Sequence, residues 1–278
     1  MKTITASAAN RLGKFLTRDF RRMFGPAHND VAERLGALAR STIECLGRSD
    51  ALYHNFEHTY LVTMVGRDIL QGMALAQRIE PADYDHLIVA CLLHDIGYMR
   101  GVLSGDTETE FVVDASGRKV TLPRGSSDAA LTPYHVDRSK LYVLRRIAGI
   151  APLDPQRIAD AIEGTRFPPA PGLQCDEEAS IVRAADFIGQ LGDPNYIRKA
   201  NALYHEFEEV GINRQLGYDS PADIINRYPQ FYWDSVAPQI QTEIGYLNMT
   251  SVGRQWIANL YANVFRAERD IALSGPQQ

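Results

Sequence analysis

The stretch "HLIVACLLHDIGY", residues 86–98, decides how this chain is read. Leu87 to Leu93 are seven consecutive apolar residues. Pro81, with Asp83 and Asp85 in the turn behind it, supplies a helix start just upstream. A helix that is apolar all round is buried. The expectation is a central helix with His94 and Asp95 at its inner end. A buried carboxylate needs a partner. An arginine or a satisfied hydrogen-bond network is the ordinary one. A metal ion is the alternative, with imidazole nitrogen and carboxylate oxygen as its ligands.

Outward from this segment, most of the chain carries a helical period. Asn29 and Asp30 stand ready to cap "VAERLGALARSTIECLG". "DRSKLYVLRRIAGI", "DPQRIADAIEG", "DEEASIVRAADFIGQLG" and "DPNYIRKANALYHEFEEVG" each open on an acidic or proline start signal. One segment breaks the pattern. "EFVVDASGRKVTLP", residues 110–123, has two β-prone arms around Ala115, Ser116 and Gly117, which reads as a hairpin. It sits inside a long connection from Gly101 to Pro133, and connections of that length are often lids or binding loops. The fold class is therefore all-α with a small β-hairpin insertion near 108–123. Residues 1–50 read as N-terminal helices packed on the domain, 51–200 as its core, and 201–278 as C-terminal helices of the same domain.

The net charge of −5 argues against sequence-independent nucleic-acid binding. Cys45, Cys91 and Cys175 form no disulfide framework, which suits a reducing, cytoplasmic location. No apolar run reaches the roughly 18 to 20 residues that span a bilayer. The N-terminal segment interleaves Arg11, Lys14, Arg18, Arg21 and Arg22 with Phe15, Phe20 and Phe24. It reads as a helix with a solvated basic face, or as a peripheral contact with anionic lipid. The aromatic-rich stretch 230–249 reads equally as buried core or as a homo-oligomer interface.

Four further residues bear on chemistry. In "ALYHNFEHTY", residues 51–60, His54 and His58 are four apart, so on a helix both face one cavity. In "ASIVRAADFIGQLGD", residues 179–193, Asp186 points from an apolar helix toward the core, with Arg183 as a local alternative partner. His135 follows in "TPYHVDRSKLY", residues 132–142, either as a ligand or as a histidine at a helix start.

A His, a His-Asp doublet and a late Asp, each on a helix, resemble the HD-domain superfamily of metal-dependent phosphohydrolases, over about Tyr53 to Asp193. The resemblance implies an HD-domain helical bundle in which His58, His94, Asp95 and Asp186 hold a divalent metal. "YHNFEH", residues 53–58, is similar to the YHNxxH signature of the cyclic-nucleotide phosphodiesterases. That similarity implies His54 as the general acid and His58 as the ligand. His135 resembles the intermediate histidine that several such families use for a second metal. The implied cofactor is one tightly held divalent cation (Mn, Fe, Co, Ni, Zn or Mg) and a weaker second one.

The implied activity is hydrolysis of a small phosphoester, a nucleotide or cyclic nucleotide. Asp95 and metal-activated hydroxide would serve attack, and His54 would protonate the leaving oxygen. Asn55, Gln190 and Arg138 are the candidate substrate contacts. Asp193 lines the pocket or caps a helix junction. Arg118, Lys119 and Arg124 reach a phosphate only if the hairpin folds over the site.

The chain also departs from the pattern. Tyr98 stands where the phosphodiesterases usually carry a histidine. The helix before the final Asp offers Glu163, an outer-sphere carboxylate or a solvated one, and no histidine. A di-iron oxygenase of the same fold and a non-catalytic binding module are the competing expectations.

Overall fold

The computed structural model describes residues 3–76, 79–169 and 175–275. These residues form an all-α fold with one small β-hairpin. The helices are α1 (Ile4–Phe24), α2 (Asn29–Leu46), α3 (Phe56–Ala76), α4 (Pro81–Leu93), α5 (His135–Arg146) and α6 (Pro155–Glu163). They continue as α7 (Glu177–Leu191), α8 (Tyr196–Glu209), α9 (Ile212–Leu216), α10 (Pro221–Phe231), α11 (Gln241–Asn248) and α12 (Ser251–Ser274). The hairpin pairs β1 (Glu110–Val112) with β2 (Lys119–Thr121), antiparallel, with Phe111 opposite Val120.

Helix α4 is the apolar segment from which the reading began, and Leu87 to Leu93 are all buried. Its start is fixed by a capping box, in which Glu80 and Asp83 exchange side-chain and backbone bonds over Pro81. It stops at His94, where the chain tightens into a short 3₁₀ turn, Ile96–Tyr98. Around it, α3 packs against both α4 and α7, and α6 covers the α4–α7 side. Helices α11 and α12 close over α3, and α1 packs along α2.

The basic N-terminal helix buries Leu12, Leu16 and Phe20 against the domain. Its one acid, Asp19, is buried too, bonded to Arg67 and to the Tyr84 hydroxyl (2.8 Å), while Arg67 also holds Asp68. Trp256 Nε1 donates to Asp68 at 2.8 Å, so one polar network ties α1, α3, α4 and α12 together. The aromatic stretch 230–249 gives Tyr232, Val236, Ile240 and Leu247 to the core and leaves Trp233 and Met249 exposed. No helix of the described residues is long and apolar enough to cross a membrane. Of the proline-rich loop 165–175, residues 170–174 lie outside the described residues.

The approach of α7 to α3 is set by Gly189. A Cβ there would lie 2.9 Å from Val62 N and 3.0 Å from Val62 Cα. Both are backbone atoms that yield only if the helices part. Asp186 lies one turn before Gly189, and His58 one turn before Val62, so this contact sets how near the two side chains come. We expect Gly189→Ala to destabilise the protein. Helix propensity favours alanine by about 1 kcal/mol, but overpacking of a closed contact costs about 1–3 kcal/mol. A urea midpoint that rises in the variant would show that the contact is loose.

The hairpin is closed by Asp114, whose carboxylate accepts from Ser116 N and Arg118 N. Its cations are committed locally: Arg118 binds Asp114 at 2.8 Å, and Lys119 lies 3.5 Å from Glu110. Arg124 is exposed.

Arg138, expected among the substrate contacts, is instead a wholly buried structural residue. Its Nε donates to Gly97 O at 2.7 Å and its Nη2 to Met99 O at 2.8 Å. Nη1 donates to Val112 O, and both terminal nitrogens hold Asp106 at 3.0–3.2 Å. A rigid planar fork can satisfy several fixed acceptors at once. Here it pins the loop after His94-Asp95, and the root of the insertion, onto α5.

Candidate metal centre

His94 caps the end of α4, and Asp95 begins the 3₁₀ turn. His58 stands on the first turn of α3, and Asp186 is mid-way along α7. Packing brings these four together. His58 Nε2 lies 3.4 Å from Asp95 Oδ2 and 3.1 Å from Asp186 Oδ1. His94 Nε2 lies 3.2 Å from Asp95 Oδ2 and 3.8 Å from Asp186 Oδ1. The two Nε2 atoms are 3.4 Å apart. Bonds of about 2.0–2.2 Å to one cation in a tetrahedron require donor spacings of about 3.3–3.6 Å. The spacings seen fall around that range.

The protonation pattern fits as well. His94 Nδ1 sits 2.8 Å from Cys91 O, a pure acceptor, so Nδ1 carries a proton and Nε2 is the nitrogen turned to the cluster. Burial works against its charge, but Asp95 and Asp186 raise its pKa to about 9, and a bound cation would take the place of the Nε2 proton. Asp95 Oδ2 is buried without a hydrogen-bond partner. His58, His94 and Asp95 are buried and bring one donor atom each close together, with Asp186 beside the two imidazoles. This group is able to hold a metal ion. Asp186, whose side chain is 22% exposed, is its solvent-facing edge. Arg183 does not pair with Asp186; it donates instead to Gly164 O and to Gln239.

His54 is not on a helix. Asn55 is the N-cap of α3, accepting from Glu57 N at 2.9 Å, so His54 lies in the turn before it. The expected sharing of one helix face is replaced by a long-range contact. Glu206, on α8, accepts from Tyr53 N at 2.6 Å and from His54 N at 3.1 Å, and its other oxygen lies 2.5 Å from His54 Nδ1. The His54 ring then comes to 5.5 Å from that of His58. Burial alone would lower the His54 pKa. The Glu206 carboxylate outweighs this and, with Asp95 and Asp186, raises it to about 9. Burial likewise works against the Glu206 charge, and His54 reverses that and holds its pKa below the usual range.

Tyr98 is stacked between two imidazoles. Its ring lies 4.7 Å from that of His54 and 4.5 Å from that of His135. His135 opens α5, gives its Nδ1 proton to Thr132 O at 2.6 Å, and points Nε2 toward Asp95 Oδ1 at 3.9 Å. Desolvation lowers its pKa, so this imidazole stays neutral. The close docking of α5 needs Gly97, where a Cβ would fall 2.0 Å from His135 O.

The remaining candidates scatter. Gln190 lies beside Tyr196. Asp193 holds Lys199 at 2.6 Å and caps the turn into α8 through Asn195 N. Glu163 is neither outer-sphere nor solvated: Lys140 and Arg166 hold it in ion pairs. Glu206 is the residue that sequence reading missed. A signal existed, because α8 buries Tyr196, Ala200 and Leu203, and Glu206 is the next position on that stripe.

The role of Glu206 is checked by titration. In chelator-treated protein we expect the Glu206→Gln variant to titrate His54 at lower pH than wild type, read by ¹⁵N NMR. The folded value lies above the ordinary 6.5, so the contact stabilises the fold fully below about that pH. This contribution is lost as pH rises through about 9. Glutamine should flatten that fall. Identical His54 titrations in the two proteins would remove Glu206 from this role.

A search of curated proteins finds no match to the chain. A family model described as Npun_R2479-like matches residues 4–270. That span takes in the His/Asp cluster, the His54–Glu206 pair and the helices that bring them together, and the chain therefore belongs to the Npun_R2479-like family.

Proposed function

We propose that the protein is a metal-dependent phosphohydrolase acting on a small phosphoester, with a nucleotide or cyclic-nucleotide phosphodiester as the preferred class. The observation that carries this reading is the adjacency of the Glu206-bound His54 ring to a His58–His94–Asp95 group whose donors lie close enough to hold one ion. The likeness to HD-domain phosphohydrolases and to the YHNxxH signature supports it from the sequence side.

His58, His94, Asp95 and Asp186 would hold the ion, and His135 with Asp95 would hold a second, weaker one. A divalent cation there supplies Lewis acidity toward phosphoryl oxygens and acidifies water. The protein's own groups do the rest. His54, charged at neutral pH, donates its proton to the departing oxygen, which leaves poorly as an oxyanion. Glu206 holds the imidazole by Nδ1, so the proton to be given is on Nε2. Tyr98 fills the space between His54 and His135, and its hydroxyl, raised well above its ordinary pKa mainly by burial, stays neutral.

The test combines elemental analysis of purified protein with a turnover screen. The substrates are bis-p-nitrophenyl phosphate, cyclic nucleotides and nucleoside monophosphates, with Mn²⁺, Mg²⁺, Co²⁺ or Ni²⁺ added. Phosphodiester turnover that depends on added or bound metal is the expected result. Metal bound at one or more per chain without any turnover would overturn the proposal in favour of oxygen chemistry or a binding role.

A further inference from the structure

Helix α1 has an outer face of one charge. At about 100° per residue, Ile4, Ser7, Arg11, Lys14, Arg18 and Arg22 fall within an arc of about 80°. All six are exposed. Arg11 and Arg22 are about 16 Å apart along the helix. The opposite side carries Leu12, Leu16 and Phe20, which are wholly buried in the domain. The helix is therefore fixed with its cations outward and cannot roll over to offer an apolar side. Its only acid, Asp19, is buried.

Most of these cations have no acid to answer them. Arg21, at the edge of the arc, is held by Glu33. Arg22 meets Asp19 at 2.5 Å and keeps 62% of its side chain exposed. Among the described residues, no carboxylate forms an ion pair with Arg11, Lys14 or Arg18; Arg18 Nε donates only to Lys14 O. The exposed acids of the neighbouring helix α2 that remain, Asp30 and Glu44, do not pair with them either.

A straight row of cations on a convex helix suits an anionic plane that meets them all at once. Nucleic acid is the competing partner. Proteins that take single strands interleave their cations with aromatic rings on which bases stack. Here Phe20 is buried, Phe24 packs against Phe20 and Tyr84, and the Phe15 ring is covered by the Arg67 guanidinium. The apolar side chain on the basic arc is Ile4, 83% exposed. An aliphatic group beside Lys and Arg suits the boundary between headgroups and acyl chains. The net charge of −5 is no obstacle. At physiological salt a charge is screened over about 8 Å, so a surface resting on α1 is shielded from acids on the far side of the domain.

We infer that the outer face of α1 docks the protein on an anionic lipid surface, with Arg11, Lys14, Arg18 and Arg22 on the acidic headgroups and Ile4 as a single apolar anchor. The contact is electrostatic and reversible, because each Lys or Arg near such a surface raises partition about fivefold. It is independent of the His/Asp cluster and of the chemistry proposed there.

The experiment is co-sedimentation of the full chain with vesicles of phosphatidylcholine mixed with phosphatidylserine, and of phosphatidylcholine alone. We expect binding to the mixed vesicles only, fading as sodium chloride is raised through about 0.15 M. The triple variant Arg11→Glu, Lys14→Glu, Arg18→Glu should lower partition by more than about 100-fold, since three attractions become repulsions. If that variant does not fold, Arg11→Ala alone, expected to cost about fivefold, decides the matter. Arg266→Glu with Arg269→Glu, two exposed positions on α12, should bind as wild type does. An equal loss in that control would overturn the assignment to α1. Failure of wild type to bind the mixed vesicles, or equal binding to both kinds, would overturn the inference. Binding of duplex DNA or single-stranded RNA that the triple variant loses, without vesicle binding, would overturn it too and give this face to nucleic acid.

Discussion

Asp95→Ala should empty the metal centre and abolish turnover together, whereas His54→Ala should abolish turnover and keep the metal. The two residues lie close, and the proposed function gives them separable parts. Asp95 Oδ2 is 3.2 Å from His94 Nε2 and 3.4 Å from His58 Nε2, buried and without a hydrogen-bond partner. Alanine there takes a central donor and leaves Asp186 as the sole carboxylate of the cluster. His54 supplies no donor to the cluster; its Nδ1 is engaged by Glu206. Loss of a positioned general acid typically costs 10²–10⁴-fold in rate, and that is the range expected for His54→Ala in phosphodiester turnover. Elemental analysis of both variants reads the metal, and a bis-p-nitrophenyl phosphate assay reads the rate. Loss of metal from His54→Ala would contradict the division of roles. Turnover retained in His54→Ala, with metal in place, would contradict the acid.

Arg138→Leu should destabilise the fold by about 3–5 kcal/mol, the usual cost of removing one partner of a buried ion pair. The side chains of Arg138 and Asp106 are both fully buried. Without the guanidinium, the Asp106 charge remains inside, and the carbonyls of Gly97, Met99 and Val112 lose their donor. Arg138→Lys keeps the charge but not the fork, and should recover only part of the loss. The double variant Arg138→Leu with Asp106→Asn should be more stable than Arg138→Leu alone, because the stranded charge is gone. Urea unfolding of the four proteins measures this. A cost below about 1 kcal/mol for Arg138→Leu would mean that the insertion does not depend on this residue. The change should also weaken metal binding, since the pinned loop follows directly from His94 and Asp95.

Features that depend on a few neighbouring residues were legible in the sequence. Leu87 to Leu93, started at Pro81 and ending at His94, marked the central helix because burial on every side requires an apolar surface on every side. Two β-prone arms around Ala115, Ser116 and Gly117 marked the hairpin because strand and turn residues a few positions apart carry that signal. His58, His94 and Asp95 were identified as a group because a family pattern of spacing points to them, and packing does bring them within reach of one ion. Other features were set by which helices meet. Arg138 looked like a free cation near the site; its acceptors come from the 97–112 segment, 26 to 41 residues away in sequence. Glu206 looked like one acid among several in "HEFEEVG", yet it organises His54 from 152 residues away. Tyr98 looked like a missing histidine, and is instead the ring between His54 and His135. Caps, turns and periodicity are written in residues a turn or two apart. A buried charge finds its partner only when distant helices pack, and this chain's candidate acid depends on such a partner.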